Sequence, residues 1–375
     1  MTPSPTPSPE ILDEILLSLV EGVGSRTYQR LIERFGNATA ILNASRRDLS
    51  LYNFHQPNTL EQLLTARERI NPVPTVELCQ NNQIDIIPLQ DERYPKQLKT
   101  IPDPPPLLYA QGTLLPSDAF SIAVIGTRQC SRYGKRQTEF LTKTLVQRGF
   151  AIISGLALGI DGAAHYAALQ NKGKTIAVLG SGLLRVYPTK HKMLAKKIVQ
   201  SGGCLLSELP PLHPPTIWSF PQRNRLVSGL SLGVLVVEAP LRSGTMITAR
   251  LAGEQGRDIF AVPGSIDLIN SQGCNQLIKD GAYLTESADD ILNVLGPMGQ
   301  SVVLPGMSTA MRHPKEISLN DVERRVLNCV GFAETSLDSI VSASGLELHQ
   351  VLPALLVLKT KQIIRGLSTT RFVRM

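Results

Sequence analysis

The segment SIAVIGTRQCSRYGKRQTEFLTKTLVQRGFAIISG at positions 121–155 places two short apolar runs on either side of a stretch with helical spacing. Four similar runs follow, TIAVLG at 175–180, GCLLSE at 203–208, LGVLVVE at 232–238 and DIFAVPG at 258–264. Continuously apolar strands that alternate with helices are typical of a parallel sheet covered on both faces. Because such crossovers are right-handed, the sequence predicts an α/β fold with a Rossmann-like, doubly wound parallel sheet.

The chain divides around this region by composition and periodicity. Residues 1–9 are Pro, Ser and Thr around one Met, a composition that predicts a disordered tail. Residues 10–75 carry apolar side chains at helical spacing, with a Gly-Val-Gly turn that resembles a helix-hairpin-helix, or SAM-like, domain. The turn is equally typical of a small helical bundle, in which glycine supplies a positive φ. The remaining ranges are 76–295 for the extended Rossmann-like domain, 296–316 for a linker and 317–375 for a C-terminal winged-helix domain.

The winged-helix prediction rests on three helical segments followed by two short apolar runs around a Gly-Leu-Ser turn. Ser318 is expected to cap the first of these helices. Pro353 is expected near the start of the third helix, where proline is tolerated best.

Composition excludes several classes of protein. Hydrophobic residues make up 42% and charged residues 18% of the 375 residues, as in folded globular proteins. The 38 Lys and Arg exceed the 31 Asp and Glu, and the net charge of +7 suits a polyanionic partner. No apolar run approaches the ~18 residues of a membrane span, and the first residues do not resemble a secretory signal. We therefore expect a cytoplasmic protein without membrane insertion, whose five separated cysteines are reduced and hold no metal.

Glycine-containing turns follow four of the predicted strands, each with Ser or Thr beside the glycine, at 125–128, 153–161, 179–182 and 242–245. In a doubly wound fold these strand ends converge on one crevice, where helix N-termini present free amides to anions. A single such turn is often explained by tight packing, but four in one sheet predict a crevice lined for phosphate. Neither the GxGxxG dinucleotide motif nor a GxxxxGK[ST] P-loop occurs, so we expect no cofactor and no ATP hydrolysis.

Basic residues collect around this crevice. Residues 121–150 contain six Lys and Arg against one acid, and residues 185–197 contain five and no acid. Arg and Lys beside glycine turns, with aromatic neighbours such as Trp218, suit a nucleic-acid backbone better than a single nucleotide. Some of these side chains are explained as solvated helix faces, an interpretation that we favour for Lys143, Arg148, Lys196 and Lys197.

Catalytic motifs such as HExxH and GxSxG do not occur, and the six histidines lack metal-ligand spacing. Asp161 and His165 are four residues apart and could pair, although anchoring of a helix N-terminus is the favoured interpretation. Glu238 ends a buried strand and could act as an acid, although orienting the next turn is favoured for it. We expect no catalytic residue and no enzyme activity.

Motifs from Tyr94 to Leu292 resemble the DNA-processing protein A (DprA/Smf) family, among them AVIGTRQCSRYG at 123–134, IISGLALGIDGAAH at 152–165, FPQRNRLVSGLS at 220–231 and VLVVEAPLRSGTMITARLA at 234–252. The resemblance implies a homodimer that binds single-stranded DNA without hydrolysing it. It also implies that the protein loads the RecA recombinase onto that DNA and displaces single-strand-binding protein in natural transformation. The helical and winged-helix segments look like accessory domains of the family, in pattern only.

The resemblance also implies a DNA-backbone site. It consists of Gly126, Thr127, Arg128, Ser154, Gly155, Gly159, Lys192, Arg223, Asn224, Arg225, Ser243, Gly244 and Thr245. Thr127 stands where Ser is commoner in the family, a change that keeps the hydroxyl. No motif identifies the surfaces for RecA or for the dimer.

Two other functions are compatible with parts of the pattern. Related Rossmann-like enzymes cleave nucleoside monophosphates to base and phosphoribose, and Glu238 would be the acid in such a phosphoribohydrolase. The PGGxGT motif expected in such enzymes is absent, and the Arg-Ser-Gly-Thr sequence at 242–245 matches it only in part. The second possibility is a passive oligomeric scaffold, in which the basic crevice would have no binding function.

Overall fold

A computed structural model describes residues 8–54, 56, 58–114, 120–295, 321–330, 335–360, 364–366 and 371–374. The chain forms two compact units, residues 1–299 and residues 300–375. The predicted linker and residues 1–7 of the predicted tail lie outside the described residues. The first helix begins at Pro9, one residue inside the predicted tail, because proline without its N–H is readily accommodated in the first helical turn.

The first unit is built from helices around one large sheet. Its helices are α1 (Pro9–Leu19), α2 (Ser25–Phe35), α3 (Ala38–Leu42), α4 (Arg46–Ser50), α5 (Thr59–Leu64), α6 (Ala66–Arg69), α7 (Val73–Asn81), α8 (Lys96–Lys99), α9 (Arg132–Gln147), α10 (Ile160–Gln170), α11 (Lys192–Gln200), α12 (Ser219–Gly229), α13 (Gly244–Glu254), α14 (Ile269–Lys279) and α15 (Ala288–Leu295). Its strands are β1 (Ile84–Pro88), β2 (Leu107–Gly112), β3 (Ser121–Ile125), β4 (Ala151–Ser154), β5 (Thr175–Val178), β6 (Cys204–Ser207), β7 (Gly233–Val236), β8 (Asp258–Ala261) and β9 (Tyr283–Leu284).

The strand order is β1-β2-β6-β5-β4-β3-β7-β8-β9. Strands β3 to β9 pair in parallel, whereas β2 pairs antiparallel with both β1 and β6. The predicted doubly wound sheet is confirmed, and its six apolar runs are strands β3 to β8. Because the chain moves outward from β3 through β6 and then returns to β7, the strand order reverses between β3 and β7.

Both faces of the sheet are buried, which explains why the strands are continuously apolar. On β3, Ile122 and Val124 pack into one core with Leu141 and Leu145 of α9. Ala123 and Ile125 of β3 face a second core, which is formed with helices α12 and α13. The alternation of successive side chains across the strand therefore fills two cores at once.

The N-terminal helices have a core of their own, in which Tyr28 and Leu31 are buried. Ile15 of α1 instead joins a cluster with Tyr109 of β2, which attaches these helices to the sheet. In the Gly-Val-Gly turn, Gly22 has φ +88°, and a Cβ there would lie 2.0 Å from Thr59 Oγ1. Close packing against α5 accounts for that glycine.

The second unit contains helices α16 (Asp321–Cys329), α17 (Leu337–Ser344) and α18 (Leu348–Thr360), with strands β10 (Thr335–Ser336), β11 (Ile364–Gly366) and β12 (Arg371–Arg374) in the order β10-β12-β11. Three helices and a hairpin confirm the winged-helix prediction, while Ser318 lies outside the described residues. Strand β10 was not predicted, because a strand of two residues is too short to show an alternation of apolar and polar side chains. Pro353 lies inside α18 rather than near its start, since the helix already begins at Leu348.

No single helix in the described part of the chain is long and apolar enough to cross a membrane.

Candidate nucleic-acid interface

A crevice of about 670 Å³ opens at the carboxyl edge of the sheet, where the strand order reverses between β3 and β7. Its walls come from residues 125–129, 155–161, 217–227 and 240–248, with Tyr187 at the side. The structure brings nine of the implied site residues together here, namely Gly126, Thr127, Arg128, Gly155, Arg223, Asn224, Ser243, Gly244 and Thr245. A crevice at this point is where doubly wound sheets bind ligands.

The loop after β3 presents a cation to the crevice. The backbone N–H of Thr127 donates to the carbonyl of Glu238 at 2.7 Å, which fixes the loop against the end of β7. Arg128 is exposed, and its guanidinium carbon lies 5.6 Å from the ring centre of Phe220. No carboxylate forms a salt bridge with Arg128 within the described residues. Its charge is therefore oriented by a cation–π contact and stays available for an anion.

The loop after β4 is held from beneath by a buried charge pair. The Asp161 carboxylate accepts from the backbone N–H groups of Gly155 at 3.1 Å and Ala157 at 3.4 Å. Arg223 donates through Nη1 to the carbonyl oxygens of Gly155, at 2.6 Å, and Val178. A Cβ at Gly155 would lie 2.5 Å from Nη2 of Arg223, so glycine is required for this approach. The pair positions the loop before any ligand arrives.

Burial shifts the pKa values of both members of this pair towards their neutral forms. Burial lowers the pKa of Arg223 to about 10, and the nearby Asp161 carboxylate opposes that shift. Burial raises the pKa of Asp161, and the Arg223 guanidinium together with the loop N–H groups opposes it. Arg223 therefore remains charged at neutral pH, but its Nη1 is committed to backbone carbonyls.

The third wall is the beginning of α13. Ser243 caps the helix, and its hydroxyl accepts from the backbone N–H of Met246 at 3.4 Å. A Cβ at Gly244 would meet nothing within 4 Å, so the first turn of α13 is open to the crevice. Free N–H groups and the helix dipole at such a terminus attract phosphate.

Three of the remaining implied residues lie elsewhere. The buried Ser154 hydroxyl donates to the carbonyl of Val124 at 2.6 Å and serves the sheet. Gly159 has φ +78°, and a Cβ there would lie 2.2 Å from the Thr127 carbonyl oxygen, so it allows two loops to approach closely. Lys192 is exposed at the start of α11 and is not among the residues that line the crevice.

Arg225 points away from the crevice into the protein. Its guanidinium bonds to the Glu208 carboxylate, lies 3.4 Å from Asp103 and donates to the Ser25 hydroxyl at 2.9 Å. Burial raises the pKa of Glu208, and the Arg225 charge opposes that shift. Successive residues on a helix point about 100° apart, so residues 223, 224 and 225 cannot all face one crevice. The implied binding role of Arg225 is therefore replaced by a structural one.

Sequence reasoning missed most of the apolar wall. Phe220 and Tyr187 lie with ring centres 5.6 Å apart, and Ile217, Pro240 and Ile247 complete the wall. Phe220 is next to the Pro-Gln-Arg run, which was a usable signal. Tyr187 lies in the run TIAVLGSGLLRVYP at 175–188, which also resembles the family, but nothing in that run indicated that its ring lines the crevice.

Glu238 and Asp161 both have structural roles, although Glu238 supports the start of α9 and not the turn at 242–245 that was favoured for it. The Glu238 carboxylate is buried and accepts from the backbone N–H of Ser131 at 2.8 Å and from its hydroxyl. A Cβ at Gly134 would lie 2.3 Å from Glu238 Cδ, so the carboxylate sits directly under the start of α9. Glu238 is not among the residues that line the crevice, and Asp161 bonds to loop amides rather than to His165.

His165 is buried as a neutral imidazole. The Thr175 hydroxyl donates to the Ile152 carbonyl at 2.8 Å, so Nδ1 of His165 donates to that hydroxyl at 2.7 Å. Nε2 is left buried without a hydrogen-bond partner. Burial lowers the pKa of His165 from 6.5 to about 3.

The depressed pKa of His165 gives a pH-dependent stability. As pH falls below 6.5, the imidazole of the unfolded chain is protonated while that of the folded chain stays neutral. The stability that the neutral His165 contributes is therefore complete above pH 6.5 and is lost as pH falls towards about 3. The free energy of unfolding, measured by urea titration from pH 7 to 4, should fall more steeply than in His165→Asn. The excess slope is at most about 1.4 kcal/mol per pH unit. Asparagine keeps a donor near the Nδ1 position, so parallel pH profiles of the two proteins would contradict the assignment.

Within the described residues, no group of three or more His, Cys, Asp and Glu side chains could hold a metal ion. Cys79, Cys130, Cys204, Cys274 and Cys329 are free thiols.

Comparison with known proteins identifies related chains over nearly the whole length. Residues 85–296 match the family described as DNA recombination-mediator protein A, and residues 310–367 match the DprA winged helix domain. Protein Smf of Synechocystis is 33% identical over 95% of this chain and 97% of its own. Protein Smf of Escherichia coli is 42% identical over 73% of each chain.

Two solved structures are similar as well. The X-ray structure of DNA processing protein A from Streptococcus pneumoniae has a TM-score of 0.63 at 36% identity and covers 75% of this chain and 95% of that one. DNA processing protein A from Helicobacter pylori has a TM-score of 0.51 at 34% identity and covers 57% and 95%. The second structure is described as giving insight into a single-stranded DNA binding mode.

Proposed function

The chain belongs to the DNA recombination-mediator protein A family, and we propose that its crevice binds the backbone of single-stranded DNA without cleaving it. The observation that carries this proposal is that two features border one crevice, the open helix terminus at Gly244 and the oriented cation Arg128, which forms no salt bridge with any residue that the structure describes. Both attract phosphate and neither reads a base edge, so binding is expected to depend little on base sequence.

The apolar wall supports a single strand over a duplex. The rings of Phe220 and Tyr187 border the same crevice as Arg128. Unpaired bases stack on such rings whatever their identity, whereas the bases of a duplex are already stacked and paired. The phosphate contacts and the ring contacts therefore select the same ligand.

The phosphoribohydrolase alternative is not favoured. Its acid would be Glu238, whose carboxylate is buried beneath α9 and bonded to Ser131. An acid that acts on a bound nucleotide has to reach the reacting atoms. An assay for base release from AMP should therefore give no product.

We further propose that the protein acts with RecA in the cytoplasm and as a homodimer. Membership of a recombination-mediator family supports the recombinase as partner. Strand β9 lies at one edge of the sheet, and its exposed apolar side chains Tyr283 and Leu284 support contact with a second copy. The homodimer is tested by measuring the molar mass in solution of the unmodified protein and of Leu284→Glu, which should have the smaller mass.

Single-stranded oligo-dT should bind more tightly than duplex of equal length, and its binding should weaken with salt. If about four phosphates are neutralised, log affinity falls against log salt with a slope near −3, because each phosphate contributes about −0.7. A fluorescence-anisotropy titration at several salt concentrations measures the slope. Equal affinity for blunt duplex, or a flat response to salt, would contradict the proposal.

The winged helix is expected to have an auxiliary role. The exposed side of α18 carries Leu348, Leu352 and Leu356, whereas a helix that reads a major groove presents polar groups. Deleting residues 300–375, which form a separate compact unit, should change oligo-dT affinity less than about threefold, or ~0.7 kcal/mol. A tenfold loss, with the shortened chain still folded by circular dichroism, would place the primary site outside the crevice.

A further inference from the structure

Helix α9 carries a basic stripe with one aromatic side chain in it. Arg132, Arg136, Phe140 and Lys143 are spaced four, four and three residues apart, so they share one face of the helix. All four are exposed, and Phe140 is 53% exposed. The stripe is about 16 Å long at 1.5 Å per residue.

The cations of this stripe share their side of α9 with one acid, Glu139, whose carboxylate lies 3.9 Å from Lys135. The nearby Arg148 lies 3.0 Å from Asp289. Within the described part of the chain, no hydrogen bond or salt bridge reaches the Arg132, Arg136 or Lys143 side chains. Three exposed positive charges therefore surround one exposed ring.

The position of Arg132 is unfavourable for the helix alone. It lies in the first turn of α9, where the dipole is positive and a cation is destabilising. The buried Glu238 carboxylate beneath Ser131 offsets part of this positive field. A bound anion would offset more, so the arrangement suits an anionic ligand better than an empty surface.

The stripe continues the positive surface of the crevice. Arg132 follows Arg128 by four residues, and α9 runs from that edge of the sheet towards the opposite edge. A groove of about 420 Å³ runs beside the stripe, lined on α9 by Arg136, Glu139, Phe140 and Lys143 and on the other side by Ala167, Gln170 and Asn171. Sequence alone favoured a solvated face for Lys143, whereas the structure places it in line with two other free cations.

We propose that α9 is a second binding site for single-stranded nucleic acid, which a strand leaving the crevice reaches without a break. Its phosphates contact Arg132, Arg136 and Lys143, and an unpaired base stacks on Phe140. An exposed ring between cations favours a single strand, because a duplex offers no free base to stack. The inference rests on the proposed function and extends it from one crevice to a longer track.

The test compares two lengths of oligo-dT with the full-length protein. A strand of about 5 nucleotides fills the crevice, and one on the order of 20 nucleotides also reaches α9. In the triple variant Arg132→Ala, Arg136→Ala, Lys143→Ala, affinity for the long strand should fall at least tenfold at low salt. The salt slope for that strand should become less steep by about 2, since three phosphate contacts are lost. Affinity for the short strand should change less than twofold.

A matched control separates a site from net charge. The variant Lys196→Ala, Lys197→Ala, Lys279→Ala removes the same charge from exposed positions on α11 and α14 and should leave the slope unchanged. Equal losses in the two triple variants would overturn the inference, and so would an equal loss for the short and long strands. Phe140→Leu should weaken only the long strand, severalfold, and unchanged binding there would remove the base contact from the proposal. If the unmodified protein bound neither strand, the proposed function itself would fail, and that outcome is distinct from the others.

Discussion

Replacing Arg128 with alanine is expected to weaken binding of oligo-dT about tenfold or more and to leave the fold unchanged. The exposed guanidinium is oriented over the crevice by Phe220 and has no carboxylate partner within the described residues. A charge-assisted contact of this kind contributes about 1.5–3 kcal/mol. A titration of labelled oligo-dT at one fixed salt concentration measures the loss.

Two variants accompany Arg128→Ala. Lys279→Ala removes an exposed charge from the C-terminal end of α14 and should bind normally. Lys192→Ala tests the family resemblance and should lose less affinity than Arg128→Ala, because Lys192 does not line the crevice. Unchanged affinity in Arg128→Ala, with a large loss in Lys192→Ala, would move the site to the start of α11.

Arg225→Ala should produce the opposite result, a loss of stability. Its side chain is 9% exposed and is bonded to Glu208, whose carboxylate would be left buried without its partner. Removing one member of a buried ion pair costs about 3–5 kcal/mol, a large part of the stability of a folded domain. Urea unfolding followed by circular dichroism measures the difference.

A surface pair provides the control for Arg225→Ala. Arg250 lies 3.7 Å from Glu254 on the exposed side of α13, and such pairs contribute little. Arg250→Ala should therefore shift the free energy of unfolding by less than about 0.5 kcal/mol. If Arg225→Ala unfolded at the same urea concentration as Arg250→Ala, the buried network would be energetically unimportant.

The contrast between Arg128 and Arg225 illustrates what sequence could and could not predict. The apolar runs predicted six strands of a doubly wound parallel sheet, because continuously apolar strands follow directly from burial on both faces. The ends of such strands meet at one edge, and there the structure brings together nine of the site residues that the family resemblance implied. Which arginine of the 223–225 run faces the ligand depends on the rotation of α12, and composition carries no information on that angle.

Other differences have the same origin. Ser154 ends β4 and Gly159 lies in the loop that follows it. The Ser154 side chain bonds inward to the sheet, and Gly159 only leaves space for the Thr127 carbonyl. A motif identifies a loop, whereas hydrogen bonds made by residues distant in sequence decide what each position does. Tyr187 shows the converse, since its ring lines the crevice although the run at 175–188 gave no role to that residue.

The position of β3 between β4 and β7 has a consequence for synthesis of the chain. The Ser121 hydroxyl donates to the Leu230 carbonyl, 109 residues later, and a similar length separates the loop after β3 from the start of α13, which both line the crevice. Long-range pairing of this kind forms slowly, and an emerging chain cannot form it until the second partner has left the ribosome. A nascent chain that stops before β7 and α13 therefore lacks residues 240–248 of the crevice, and with them the open helix terminus at Gly244. Affinity for DNA should arise in a single late step of folding, so that incomplete chains do not compete with finished protein for the strand.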